Sequence, residues 1–180
     1  KYRPMDIISK REVRSVIDEF EPEVIINAAA MTNVDACETE RAQAWQSNAA
    51  GVENLVYASK LVGAKFIQIS TDYVFDGKNG PYDEYERPNP INYYGKTKLA
   101  AENIVRSSGV PFAVVRTLFL YGAGVRSRAN VALRILESLA VGQPYKVADD
   151  QFSNPTLVDD VAFAILKIIE MNCTGIFHIA

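Results

Sequence analysis

The sequence predicts an α/β fold: a Rossmann-like parallel sheet with helices on both faces. Three observations carry this reading. Apolar runs of strand length recur at Glu23-Val24-Ile25-Ile26-Asn27-Ala28, Lys65-Phe66-Ile67-Gln68-Ile69-Ser70 and Val110-Pro111-Phe112-Ala113-Val114-Val115-Arg116. Such continuous runs suit strands covered on both faces. Helical periodicity fills the stretches between them, as a parallel sheet with crossover helices requires.

Taken in order, residues 3–8 read as a short strand or strand exit carrying Asp6. Ser9 is placed to cap a helix through Phe20, with Val13, Val16, Ile17 and Phe20 on one face. Pro22 closes it, and the first apolar run follows as a buried strand. Ala28, Ala29 and Ala30 mark its end. Residues 35–62 are helical with a break near Glu40, and Trp45, Ala49, Val52, Leu55 and Val56 form the expected buried stripe. Gly63-Ala64 turns the chain into the second strand. Residues 71–92 form a long loop with Gly77, Gly80, Pro81, Pro88 and Pro90, and a loop this long in a compact domain is usually functional. A helix over 93–106 leads to the third strand. Residues 118–126 read as a loop, 129–141 as a helix, 145–147 as a short strand, 157–171 as a helix and 175–180 as a last strand.

Composition narrows the function classes. The 180 residues suffice for one domain with a sizeable core. A net charge of -3 leaves no basic footprint for nucleic acid or an anionic membrane. No apolar run is of bilayer-spanning length, and no signal-peptide pattern opens the chain. Cys37 and Cys173 stand far apart without metal spacing, so free thiols in a cytoplasmic protein, and no metal, are expected. His178 is the sole histidine and lies in a strand pattern, where a packed role is expected. That leaves a Ser-His-Asp hydrolase little support.

Ligands in such sheets bind beyond the carboxyl ends of the strands. The residues just after the strands are Asp6, Ala28 to Thr32, Ser70 to Tyr73 and Arg116 to Tyr121. Alongside lies Tyr94-Gly95-Lys96-Thr97-Lys98 at the start of a helix. Tyr94 and Lys98, four apart, share a face. An ammonium beside a phenol favours phenolate, so a lowered Tyr94 pKa is expected. A phenol tuned this way can pass a proton to a carbonyl oxygen. Taken alone, the pair reads equally as an ordinary surface pair.

Three segments in this order, Asn27-Ala28-Ala29-Ala30, Ser70-Thr71-Asp72-Tyr73-Val74-Phe75-Asp76-Gly77 and Tyr94-Gly95-Lys96-Thr97-Lys98, resemble the extended short-chain dehydrogenase/reductase superfamily. Within it they are most similar to the dTDP-4-dehydrorhamnose reductases. Asp150-Gln151 with Pro155-Thr156, and Arg116-Thr117 before Tyr121, match the same pattern. The resemblance implies reduction of the 4-keto group of a nucleotide-activated deoxysugar by NADPH or NADH. It implies Tyr94 as proton donor and Lys98 as holder of the nicotinamide ribose and electrostatic support of Tyr94. Thr71 would hydrogen-bond the reacting carbonyl. Asp6 and Ile7 would lie against the adenine, and Ala30, Met31 and Thr32 would line the cofactor. Asp72 and Phe119 would position the sugar nucleotide, Phe119 at a place where the family often has tryptophan. Asn48 matches an asparagine often carried in the site region.

The resemblance also implies a division into a partial NAD(P)-binding Rossmann core over 1–117 and part of a small C-terminal substrate lobe over 118–180, interleaved with the core. The glycine-loop unit that normally cradles the pyrophosphate is absent from this chain, so this stretch alone is expected to bind dinucleotide weakly. The expected partner is a nucleotide-sugar substrate, and a homodimer remains open. Two alternatives accompany the reductase reading: a non-catalytic regulator resembling the β subunit of methionine adenosyltransferase, and a nucleotide-sugar epimerase. A dehydratase is disfavoured, because Thr71 is followed by Asp72-Tyr73 and not by an Asp-Glu pair.

Overall fold

The structure is a computed structural model that describes residues 2–122, 131–147, 149 and 153–180. Helix α1, Lys10–Phe20, starts where expected. Ser9 Oγ accepts from Glu12 N at 3.3 Å, and Val13 and Ile17 are its buried residues. Strands β1 (Val24–Asn27), β2 (Lys65–Thr71) and β3 (Phe112–Thr117) come from the three apolar runs. The last strand is Gly175–Ile179. These four make one parallel sheet, with β1 against β2, β2 against β3, and β3 against the last strand.

Two cores follow from side-chain alternation along the strands. Phe66 and Val114 point to one face, where they meet Val13, Ile17, Val52, Leu55, Ala101 and Val105. Ile67, Ala113 and Val115 point to the other, where they meet Val161, Ile165 and Ile168. Helices therefore cover both faces, as the continuous apolar runs require.

The region after β1 is more segmented than its periodicity suggests. Helices α2 (Val34–Thr39) and α3 (Arg41–Trp45) are separated at Glu40. A π-helical turn over Gln46–Ala50 leads into α4, Gly51–Val62. Trp45 is 46% exposed, against the expected buried stripe, while Ala49, Val52, Leu55 and Val56 are buried as expected. The π turn inserts a residue into the helical register. The face before it is thereby rotated out of line with the face after it, and Ala44 takes the buried place.

Three further expectations need correction. Residues 3–8 form no strand, and Ile7 and Ile8 are in a turn. Asn54 Nδ2 holds that turn on α4 through the carbonyls of Ile7 (3.0 Å) and Ile8 (3.1 Å). The carbonyls that a ladder would use are thus taken by a side chain. The expected loop after β3 contains β4, Leu120–Tyr121, which pairs in parallel with β5, Thr156–Leu157. Residues 145–147 are not a strand. Helix α5 is Tyr93–Ser107, α6 is Val131–Ala140, α7 is Val158–Glu170, and the last strand is β6. The start of the expected 129–141 helix and the Asp150-Gln151 pair lie outside the described residues.

One polar contact crosses the apolar interior. Glu102 on α5 and Arg116 on β3 are 0% and 2% exposed at their side chains. Arg116 donates from Nε to Oε1 at 3.0 Å and from Nη2 to Oε2 at 2.7 Å. Ser70 Oγ on β2 donates to the same Oε1 at 2.5 Å. The fork geometry satisfies both ions where water cannot. Removing one partner strands the other charge. Glu102→Ala is expected to destabilise the fold by about 3–5 kcal/mol in urea unfolding, and Glu102→Met with Arg116→Met together by less than Glu102→Ala alone.

Candidate active site

Parallel pairing brings the carboxyl ends of β1, β2 and β3 to one edge. At the end of β1, Asn27 Nδ2 donates to Gln68 Oε1 at 3.0 Å, and Asn27 Oδ1 accepts from Ala29 N at 3.1 Å. The small residues 28–30 leave the strand here. At the end of β2, Thr71 caps a 3-10 turn over Asp72–Val74. Its Oγ1 accepts from Tyr73 N at 3.2 Å and donates to Asp72 Oδ1 at 3.0 Å.

Helix α5 begins against that turn. Asn92 Oδ1 accepts from Gly95 N at 2.7 Å, and Glu38 Oε1 accepts from Tyr93 N at 2.5 Å. Gly95 is required by contact: a Cβ there would fall on the Tyr73 carbonyl. This close approach brings Tyr94 beside Thr71. Tyr94 is buried with Cys37 and Ala44, with Met31 and Val34 packed against them, and the Tyr73 ring meets it edge-on at 5.8 Å. Lys98, one turn further, is buried and donates from Nζ to the Ile69 carbonyl at 2.7 Å.

The electrostatics reverse one expectation. The Tyr94 phenol is pushed up from 10.0 to about 12, chiefly by burial, while a hydrogen bond with the Thr71 side chain opposes the rise. Lys98 does not lower it, because its ammonium is turned to the Ile69 carbonyl and burial depresses Lys98 itself from 10.5 to about 8, against the attraction of Glu102. Burial also raises the Asp72 carboxyl, against hydrogen bonds from Thr71 and the backbone. In each case the low-dielectric surroundings favour the neutral form.

Asn48 ties this group to the segment after β1. It is buried in the π turn. Its Oδ1 accepts from Met31 N at 2.8 Å, and its Nδ2 lies 3.0 Å from Met31 O and 2.9 Å from Thr97 Oγ1. Thr97 Oγ1 donates in turn to Tyr94 O at 2.7 Å. The chain from Met31 to the tyrosine helix is continuous.

Thr71, Asp72, Tyr94, Lys98 and Met31 are thus gathered at one edge. Asp6, Ile7, Ala30, Thr32 and Phe119 make no hydrogen bond with that group among the described residues. Asp6 is exposed and its Oδ1 accepts from Ile8 N at 3.0 Å. The Ile7 side chain belongs to the core, and its carbonyl accepts from Asn54 Nδ2. Ala30 is half-buried and Thr32 exposed. Phe119 is 37% exposed, and its carbonyl accepts from Thr156 N at 2.9 Å. Sequence reasoning missed Glu38 and the Glu102–Arg116 pair. Glu102 was detectable, since it falls on the stripe of Lys98, Ala101 and Val105, where an ordinary glutamate is out of place. Among the described residues, no group of His, Cys, Asp and Glu is placed to hold a metal ion, and no helix is long and apolar enough to cross a membrane.

The Lys98 shift carries a signed consequence. Below about pH 8 the lysine is protonated in both folded and unfolded chains, and between about 8 and 10.5 the unfolded chain holds more protons. Stability contributed by Lys98 therefore rises with pH over that interval. Tyr94 works in the opposite direction only between 10.0 and about 12. Measured by urea unfolding, the stability of the parent relative to Lys98→Met is expected to rise between about pH 8 and pH 10; a flat difference would show that Lys98 is not held in a desolvated place.

Comparison with known proteins agrees with this geometry. A solved structure of dTDP-4-dehydrorhamnose reductase from Bacillus anthracis, in complex with NADP, superposes with a TM-score of 0.93 at 38% identity, covering 98% of this chain and 62% of that one. The dTDP-4-dehydrorhamnose reductase of Aggregatibacter actinomycetemcomitans is 34% identical over 175 residues, 97% of this chain and 58% of the relative. Methionine adenosyltransferase 2 subunit beta of Bos taurus is 34% identical over 184 residues, 99% of this chain and 55% of the relative. The chain thus spans less than two thirds of the length of these proteins. The RmlD substrate binding domain family matches residues 1–180, and the chain belongs to that family.

Proposed function

We propose that this chain serves an NAD(P)H-dependent reductase of the 4-keto group of a nucleotide-activated deoxysugar, converting dTDP-4-dehydro-L-rhamnose to dTDP-L-rhamnose. The observation that carries the reading is the meeting of the Thr71 and Tyr94 hydroxyls at the end of β2, with buried Lys98 one helical turn behind. A carbonyl oxygen placed between the two hydroxyls would accept from both once the Thr71 O–H turns to it from Asp72 Oδ1. Thr71 would polarise it, and Tyr94 would deliver the proton as negative charge develops there. A phenol held near 12 is fully protonated at neutral pH, which is the state a proton donor needs.

The residues fit a dinucleotide. An ammonium has three donors. Lys98 spends one on Ile69 O, its single hydrogen bond among the described residues, which leaves two for ribose hydroxyls. Met31, fixed by Asn48, would line the same side with Ala30 and Thr32, while Asp6 and Ile7 would lie against the adenine. NADPH or NADH, when bound, supplies the hydride. Asp72, half-buried and raised toward its neutral form, would receive a sugar hydroxyl, and Phe119 would flank the substrate. In this reading residues 1–117 serve the cofactor, with Thr71, Asp72 and Tyr94 also meeting the substrate, and 118–180, interleaved with the core, serve the substrate, in the cytoplasm.

The similarity to methionine adenosyltransferase 2 subunit beta favours a second reading, a partner-binding regulator on the same scaffold. The two separate in one assay. Full-length protein with NADPH and dTDP-4-dehydro-L-rhamnose should consume the cofactor, followed by absorbance. Tyr94→Phe should lower kcat by roughly 100- to 10,000-fold, the span general acid catalysis covers. No turnover, with stoichiometric recovery of an adenosyltransferase, would favour the regulator.

A further inference from the structure

The loop over 75–92 leaves the site at the turn that carries Asp72 and returns at the cap of α5. Its two ends therefore adjoin Thr71 and Tyr94. Its middle is held by β6, through His178. The His178 N–H, on the outer strand of the described sheet, donates to Glu84 Oε1 at 3.0 Å. The His178 Nδ1 lies 3.2 Å from the Tyr82 carbonyl, and Nε2 lies 3.2 Å from Arg116 Nη1. A carbonyl can only accept and a guanidinium can only donate, so Nδ1 carries the proton and Nε2 accepts. Both nitrogens are satisfied in the neutral ring alone.

The surrounding contacts make this a path. Phe75 stacks on Tyr82 at 4.3 Å and 3°, meets the His178 ring edge-on at 5.8 Å, and lies under the Arg116 guanidinium at 5.1 Å. Arg116 is locked by Glu102, one turn beyond Lys98 on the tyrosine helix. Tyr82 is tethered by its hydroxyl to Asp76 Oδ1 at 2.7 Å, and Asn89 donates to Asp76 Oδ2 at 2.9 Å.

We propose that His178, as a neutral imidazole protonated on Nδ1, is a positioning residue of the reduction: it pins the 75–92 loop to β6 and Arg116 and so sets the spacing of Thr71 and Tyr94. This rests on the reductase reading above. Protonation would turn Nε2 into a donor facing another donor. Of the charged and titratable groups around it, Glu84 alone would attract a charged ring, and its Oε1 is engaged by the His178 N–H. Arg116 on β3 is a like charge, and Glu102 on α5 already takes two bonds from it. From the loop, Glu84 serves the His178 backbone, Asp76 serves Tyr82 and Asn89, and the Tyr82 hydroxyl is committed to Asp76. An acid limb in kcat follows.

The test uses the full-length protein, His178→Gln and His178→Phe, with kcat and KM measured for NADPH and dTDP-4-dehydro-L-rhamnose between about pH 5.5 and pH 8.5, where a histidine changes charge. Gln can place its carbonyl where Nε2 accepts and cannot become charged. His178→Phe is expected to lower kcat roughly 10-fold, with KM for NADPH held within about twofold, because a misplaced acid costs rate more than binding. His178→Gln is expected to restore most of kcat at the alkaline end and to flatten the acid limb. Parental kcat and pH profile in both variants, or equal losses in kcat and KM at every pH, would overturn the proposal. If His178→Phe does not fold, the comparison of His178→Gln with the parent across pH decides.

If the parent turns nothing over, the reductase reading fails, and amide exchange judges the inference separately. Protection over 76–90 should fall in His178→Phe, or in the acidified parent, while Val24–Asn27 and Phe112–Thr117 remain protected. Unchanged protection in the loop would overturn it.

Discussion

The Glu102–Arg116 pair is the contact on which the site depends. It joins α5, which carries Tyr94 and Lys98, to β3, and through Ser70 to the residue of β2 next to Thr71. A buried ion pair is weak evidence of stability in its own right, because the attraction must first offset desolvation. Its value here is geometric. Apolar packing against Ala101 and Val105 would allow α5 to slide on the sheet with little change in buried area. A two-pronged guanidinium–carboxylate contact does not allow that slide. The register between tyrosine and strand end is therefore set by a polar contact inside an apolar layer.

The reactive groups inherit their electrostatics from the same packing. Tyr94 and Lys98 move in opposite directions on the pH scale, yet for one reason: each is buried, and burial disfavours whichever form carries charge. The simple picture of an ammonium that acidifies a neighbouring phenol requires the two to face one another. Here the ammonium faces the Ile69 carbonyl. The phenol answers to Thr71 and to its apolar walls, Cys37 and Ala44.

Much of this was legible in the sequence. The strands could be read because continuous apolar runs have few other uses at that length, and the α1 cap because Ser9 precedes a clean helical face. That Thr71, Tyr94 and Lys98 lie near one another could be read because Thr71 stands at a strand end and Tyr94 and Lys98 share the face of the helix alongside, while their roles rest on the resemblance. Other features were not legible, for physical reasons. The exposure of Trp45 depends on a π turn, which rotates a helix without leaving a mark in composition. The β4–β5 pairing is two residues long and joins segments that only the folded chain brings together. The direction of the Tyr94 shift depended first on its burial and then on where a flexible lysine points, neither of which spacing along a helix can specify.

The long loop after Thr71 has the least regular structure near the site and many of its polar contacts. Asp76 is held to about 2 by the Tyr82 hydroxyl, the Lys78 backbone and Asn89. Glu84 is lowered chiefly by the His178 backbone N–H. A loop of this length would ordinarily have a large conformational entropy to lose on ordering. Here aromatic stacking of Phe75 on Tyr82 and three hydrogen bonds to one carboxylate oppose that loss close to the chain ends that matter. The fold thus places the tyrosine not only by the helix that carries it, but by the return path of the loop that precedes it. A substitution in the middle of that loop, far in sequence from either hydroxyl, acts on the distance between them.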